Sequence, residues 1–371
     1  MENPIIFIRN AEVYAPEPLG KLDLLLGGGR VLQMGPSLAP GLDGVEVVDA
    51  DGLIALPGIV DQHVHITGGG GERGFSSRVV ELSATDLLSC GVTTVVGVLG
   101  TDSVTRSVQS LLAKTKALKE LGMSAYCLTG AYDLPSPTIT GSVKEDVAWI
   151  DEILGVKVAF SDHRCAQPTQ EELTRLAAHV RLAAITANKP GVVHIHTGIG
   201  KDGLGMIFRI LEDSDLPVRH FRPTHVENVI DDAVRLAQMG GMIDFTADDD
   251  TELTCSQLLE AESKGAAWDR ITMSSDAGGS IPVWNERREM IGMGVGKPDT
   301  LLQVTKALWK HHGMPLEKAL SLITTAPADG LMLTRKGRLT PGADADVLLT
   351  DGNLAPRQVF AGGRRLWSAE G

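Results

Sequence analysis

The middle of the chain alternates between two patterns, and this limits its fold more than any other feature. Apolar, β-branched stretches run from Ile54 to His65, Val92 to Leu99, Ser124 to Thr129 and Val156 to Phe160. Four more run from Val192 to His196, Arg222 to Val226, Met242 to Thr246 and Ile271 to Ser274. Each is followed by room for a helix, with helical periodicity clearest at Val104 to Leu121, Gln170 to Ala187 and Leu253 to Lys264. Strands joined by helical crossovers pair in parallel, and eight consecutive units of this kind predict an α/β fold, a (β/α)8 TIM-like barrel. An open doubly wound sheet is the competing arrangement. It lacks the GxGxxG turn that would open its first helix, because the run Gly68 to Gly71 follows two histidines and leads to Glu72.

The two ends read differently. Ile5 to Ile8, Leu22 to Leu26, Val31 to Met34 and Val45 to Val48 are strand-like, as are Ala345 to Leu349 and Gln358 to Leu366, with glycine-rich turns between them. Both ends therefore predict one small β-sandwich domain built from residues 1–55 and 331–371, flanking a barrel over 56–330. The 371 residues suit a barrel of about 250 residues plus such a domain.

Composition narrows the partners. The net charge of −13 argues against nucleic acid or an anionic membrane as partner. Aromatics at 4% leave few stacking platforms for single strands. Cys90, Cys127, Cys165 and Cys255 form no CxxC pair, which points to a reducing compartment rather than a disulfide scaffold or zinc ribbon. The apolar run ending at Ile8 is short and has no basic flank, and no stretch is long enough to span a membrane. The expectation is a cytoplasmic protein.

The chemistry-bearing residues lie at predicted strand ends, where barrel enzymes carry their sites. His63 and His65 share one face of a strand, and neutral imidazole is a common metal ligand. His196 closes the fifth strand and His225 the sixth. A lone strand-end histidine reads first as a core residue, but four converging on one mouth read as a metal site. His194 shares the face of His196 and reads as a supporting or core residue. Asp276, after the eighth strand, suits either a metal ligand and proton acceptor or a helix N-cap. Lys157 sits inside an apolar strand. It is either an interior ion-pair partner or an amine made nucleophilic by burial, able to add carbon dioxide as a carbamate.

These residues stand in motifs that resemble the amidohydrolase superfamily and, within it, the β-aspartyl (isoaspartyl) dipeptidases. The motifs are Leu56 to His65, Gly155-Val156-Lys157 with Ser161 to Arg164, His194 to Gly198, Pro223 to Val226, Ser274-Ser275-Asp276 and Gly342 to Asp346. The subfamily features are Gly68 to Glu72, Gly100-Thr101, Gly130-Ala131-Tyr132 and the Ser161 to Arg164 loop. The resemblance implies a pair of divalent metal ions, zinc by expectation. His63, His65 and Asp276 would hold one ion, and His196 and His225 the other. A hydroxide and carboxylated Lys157 would bridge them. It implies that Tyr132 donates to the developing oxyanion and that Asp276 moves the proton. Glu72 would meet the substrate ammonium and Arg164 its carboxylate, with Gly70, Thr101 and Ser280 lining the pocket. It also implies a homo-oligomer.

One stretch departs from the family. A second carboxylate-binding arginine belongs shortly after the sixth-strand histidine, and here Glu227 and Asn228 stand there. Arg219, Arg222, Arg287 or Arg288 are candidates to replace it. The departure suggests an enzyme tolerant of β-aspartyl substrates that lack the second carboxylate. The same ligands serve dihydroorotase-like, hydantoinase-like and deacetylase-like enzymes acting on cyclic amides or N-acyl amino acids, which form the alternative. A non-catalytic scaffold of the same fold predicts missing ligands, and all six positions are filled.

Overall fold

The computed structural model describes residues 4–39, 41, 43–284 and 290–370, and the side chains of all of these except 282–284, 290 and 291. Eight parallel strands form the central sheet: β1 (Ile59–Val64), β2 (Val92–Gly97), β3 (Ser124–Gly130), β4 (Ile153–Phe160), β5 (Val192–Thr197), β6 (Phe221–Thr224), β7 (Ile243–Thr246) and β8 (Ile271–Ser274). Each pairs with its neighbour in sequence. The ring closes where Val64 bridges Ala277 and the His65 N–H donates to the Ala277 carbonyl at 2.8 Å. Almost every residue of these strands is buried, as expected when helices cover the outside and side chains fill the inside.

Five of the barrel helices start where the sequence supplies caps. Ser83 and Thr169 form capping boxes with Asp86 and Glu172, opening α1 (Ala84–Leu88) and α4 (Gln170–Ala187). Ser107, Ser142 and Asp250 cap α2 (Val108–Glu120), α3 (Val143–Trp149) and α7 (Thr251–Ser263). With α5 (Gly205–Asp213), α6 (Ile230–Gln238) and α8 (Thr300–Lys310), one helix follows every barrel strand.

The terminal segments meet in a second, mixed sheet of eight strands. Its long strand Ile6–Tyr14 pairs along one edge with Pro18–Gly27. Along the other edge its first half pairs with Glu46–Asp49 and its second half with Ile54–Pro57. Ile54–Pro57 then joins Val347–Thr350 from the C-terminal segment. The stretch read from sequence as one strand from Ile54 to His65 is therefore two, parted at Gly58. A side chain at Gly58 would lie 2.2 Å from the Thr93 hydroxyl, so the chain can cross between the two sheets there only without a Cβ. The strand-like run Gln358 to Leu366 is a hairpin, Pro356–Ala361 and Arg364–Ser368, turned at Gly362 and Gly363.

One element was not foreseen. After β8 the chain forms an antiparallel ribbon, Ser280–Trp284 with Met290–Val295, before α8. Asp276 therefore caps no helix: it has φ 49 and leads into this ribbon.

Candidate active site

The C-terminal ends of the barrel strands carry the predicted cluster. His63 Nε2 and His65 Nε2 lie 3.3 and 3.1 Å from Asp276 Oδ1. Lys157 Nζ, fully buried, lies 3.4 Å from His63 Nε2. The ring of His225 stands 5.1 Å from that of His63 and 4.6 Å from that of His196. His63, His225 and Asp276 each offer a donor atom within 4.8 Å of the others. Three of the residues that leave the strand ends, Ser161, His225 and Asp276, have φ of 54, 61 and 49, a left-handed conformation that side-chain-bearing residues rarely adopt. Such strain collects where a backbone must aim a side chain.

The electrostatics suit cation binding. Burial holds His63 and His225 well below the ordinary imidazole value, so both stay neutral with a lone pair to offer. Burial also brings the Lys157 amine down to about 7, and no carboxylate lies within ion-pairing distance of it among the described residues. Burial raises the Asp276 carboxyl, but the facing imidazoles of His65 and His225 and the Lys157 amine together outweigh it and keep the group ionised. His65 Nδ1 and Asp276 Oδ1 are buried and have no hydrogen-bond partner among the described residues. Neutral imidazoles, an ionised carboxylate, a deprotonatable amine and two orphaned donor atoms together fit a divalent metal centre.

The other predicted ligand, His196, is held by protein groups. Its Nε2 donates to Asp162 Oδ2 at 2.9 Å, which leaves Nδ1 to accept from the Tyr132 hydroxyl at 2.6 Å. A cation at His196 requires one of these bonds to be exchanged. Asp162 was not singled out from sequence, although it stands two residues before Arg164 in the loop after β4. It takes Arg164 Nε at 3.0 Å, Arg164 Nη2 at 2.9 Å and the Arg164 backbone N–H at 2.7 Å. His194, read as a supporting residue, places Nε2 3.0 Å from His63 Nδ1 and so fixes that ring.

The pocket residues gather beside the cluster. Glu72 Oε1 accepts from Ser280 Oγ at 2.8 Å and Thr101 Oγ1 at 3.3 Å, and lies 3.8 Å from Arg164 Nη1. Gly70 has φ 76, and a Cβ there would sit 2.5 Å from the Ser77 carbonyl, so this glycine sets the tight turn that delivers Glu72. Burial raises the Tyr132 phenol well above its usual value and keeps it a neutral donor.

The departing stretch faces inward. The Thr246 N–H donates to Glu227 Oε2 at 3.3 Å, and Glu227 Oε1 lies 3.9 Å from His225 Nδ1. Asn228 donates instead to the His225 carbonyl at 3.1 Å. Two of the candidate replacement arginines do not reach the mouth. Arg219 and Arg222 stand before and at the start of β6, at the opposite end of the barrel, because strand direction separates residue 222 from His225. Arg287 and Arg288 lie outside the described residues.

The sequence profile described as the amidohydrolase family matches residues 54–366. The chain belongs to the amidohydrolase family. This amidohydrolase superposes on a β-aspartyl dipeptidase from Fervidobacterium islandicum AW-1, solved in complex with a β-Asp-Leu dipeptide, with a TM-score of 0.91. The two are 38% identical over 98% of this chain and 97% of that one. Among curated proteins it is 27% identical over 169 residues to an adenine deaminase from Paracoccus denitrificans, 45% of this chain and 28% of that protein. It is 35% identical over 100 residues to a dihydroorotase from Leifsonia xyli, 27% of this chain and 22% of that protein. The matched stretches thus span about a quarter of the length of these curated relatives. As an amidohydrolase, the chain is a hydrolase of amide C–N bonds. No helix among the described residues is long and apolar enough to cross a membrane.

Proposed function

We propose that this amidohydrolase cleaves β-aspartyl dipeptides, using divalent metal ions held by His63, His65, Lys157, His196, His225 and Asp276. The observation that carries this reading is the pairing of Glu72 with Arg164 beside the histidine cluster. In a β-aspartyl dipeptide the side-chain carbonyl forms the scissile amide, so one Cα keeps both a free ammonium and a free carboxylate. A carboxylate and a guanidinium held side by side match that zwitterion. The likeness to the Fervidobacterium enzyme supports the same substrate class.

The metal ions, two zinc ions by expectation, supply Lewis acidity and a lowered pKa for water. Glu72, held by Ser280 and Thr101, takes the substrate ammonium. Arg164, held flat by Asp162, takes the α-carboxylate. Tyr132, kept neutral, donates to the carbonyl oxygen as negative charge develops there, a contribution of about 3–4 kcal/mol in comparable sites. Asp276 accepts the proton of the attacking water and returns it to the leaving amine. Lys157, as its free amine, adds carbon dioxide, forms a nitrogen–carbon bond and releases one proton, leaving a carbamate with two ligand oxygens. A homo-oligomeric, cytoplasmic enzyme, with a small domain of residues 1–55 and 331–371 around a barrel of 56–330, completes the proposal.

A substrate panel tests it. β-Asp-Leu, dihydroorotate and an N-acetyl amino acid are offered to the zinc-reconstituted protein. Selective release of leucine from β-Asp-Leu supports the reading. Turnover of dihydroorotate or the N-acetyl amino acid in its place overturns it.

A further inference from the structure

A second cavity, of about 790 Å³, opens at the end of the barrel opposite the histidine cluster. Its walls come from the segments that enter β5 to β8 and from the helices after α8, and include Lys189, Arg219, His220, Trp268, Lys318 and Met332. Its size lies within the range of small-molecule sites. Its charge is opposite to that of the protein as a whole. The net charge of the chain is −13, yet five cationic side chains, Lys189, Arg219, Arg222, Arg270 and Lys318, line this cavity against two carboxylates, Asp269 and Asp329.

Several of these charges are already matched. Asp329 pairs with Arg338, Lys318 with Glu262, and Arg270 lies 3.7 Å from Asp269. Lys189 is engaged by the carbonyls of Val147, Ile150 and Ile153. Arg219 and Arg222 are not matched. Arg219 is exposed and makes no ion pair among the described residues. Arg222 is only 1% exposed, and its partners are the Gln62 amide oxygen at 2.8 Å, the Gly330 carbonyl at 2.9 Å and Met242 Sδ at 3.3 Å. All three are neutral. Its Nε, also buried, has no partner among the described residues. The carboxylate whose charge bears on it, Asp244, is reached only through the Gln62 amide, and a buried guanidinium without a counter-anion in direct contact is costly unless something else supplies one.

We infer that this cavity binds a small organic anion, its carboxylate or phosphate head on Arg222 and Arg219 and its apolar body against Trp268, Met242 and Met332. A guanidinium fork suits either head group. The inference is independent of what the histidine cluster hydrolyses.

Binding is measured by calorimetry on the metal-loaded full chain at fixed ionic strength. The probes are phenylacetate, phenyl phosphate and inorganic phosphate. Saturable binding of phenylacetate or phenyl phosphate is expected, and which of the two binds more tightly names the head group. Affinity should fall at least 10-fold in Arg219→Glu and persist in Arg164→Gln, which alters the other end of the barrel. Arg222→Met should abolish binding. Should that variant fail to fold, Arg219→Glu with Arg219→Lys as its charge-retaining partner carries the test alone. No saturable binding of either aromatic anion overturns the inference. So does binding that Arg164→Gln removes or Arg219→Glu leaves intact, and so does equally tight binding of inorganic phosphate.

Discussion

Glu72 Oε1 and Arg164 Nη1 lie 3.8 Å apart on loops that leave different barrel strands, and neither is free to collapse onto the other. Serine and threonine hydroxyls hold the carboxylate, and Asp162 holds the guanidinium at two nitrogens. A preorganised pair of opposite charges can open around a zwitterion without rebuilding its own supports. Glu72→Gln should therefore lower kcat/KM for β-Asp-Leu by roughly 30- to 1,000-fold, about 2–4 kcal/mol. Succinyl-leucine, which lacks the ammonium, should be a poor substrate for the wild type and lose little further in Glu72→Gln. An equal loss on both substrates would assign Glu72 a role other than ammonium recognition.

Glu227 stands where a second carboxylate-gripping arginine was expected, and its carboxylate is tied to the Thr246 N–H beside His225. No described arginine reaches that side of the mouth in its place. The leaving residue's own carboxylate should then contribute little to recognition. Steady-state assays should give kcat/KM for β-Asp-Leu and its C-terminal amide within about 3-fold of each other, less than 1 kcal/mol. Loss of all activity on the amide would contradict this.

His220 is buried far from the histidine cluster, with Nδ1 2.9 Å from the Gly191 carbonyl. Burial lowers its pKa from the ordinary 6.5, against the opposing pull of that carbonyl. Below pH 6.5 the unfolded chain takes up a proton that the folded chain refuses, so stability falls as the pH drops from 6.5 toward the lowered folded value. Above 6.5 the term is constant. In His220→Gln the melting temperature should lose part of its slope between pH 6.5 and 5 and keep its shape from pH 7 to 8. An unchanged acid limb in the variant would show that His220 does not titrate on unfolding.

Gly58 joins the terminal sheet to the barrel, and a methyl group there would strike the buried Thr93 side chain. Gly58→Ala should destabilise by about 1–3 kcal/mol, as overpacking does. Thr93→Ala should recover part of that loss in the double variant, because the two sites are in contact. Chemical denaturation of the four proteins measures the coupling, and simple additivity would place the clash elsewhere.

The barrel was legible because each strand is a short apolar run followed by room for a helix, and Gln170–Ala187 begins and ends where its periodicity predicts. The gathering of histidines and Asp276 at one end of the barrel was legible for a related reason. A strand end fixes where a side chain points, so His63, His65, His225 and Asp276 could be placed before their contacts were known. What stayed hidden depends on loop and long-range geometry. The ribbon after β8 has no strong alternation, and the helix-cap alternative for Asp276 falls only when its φ is seen. Asp162 reads as an ordinary loop acid, and only its bonds to Arg164 and His196 reveal its place. Arg222 looked available to substrate because spacing alone does not say toward which end of a barrel a long side chain reaches.

The central claim is that a dinuclear centre at this cluster hydrolyses β-aspartyl amides, and a metal titration of the apo-protein in bicarbonate tests it most directly. Zinc is added stepwise while bound metal and β-Asp-Leu turnover are read on the same samples. The account predicts saturation at about two ions per chain, with full turnover only as the second site fills. It also predicts that Lys157→Ala loses both metal and activity and regains part of each with a short carboxylate. Full turnover at one ion per chain, or two bound ions with no cleavage of β-Asp-Leu, would contradict it.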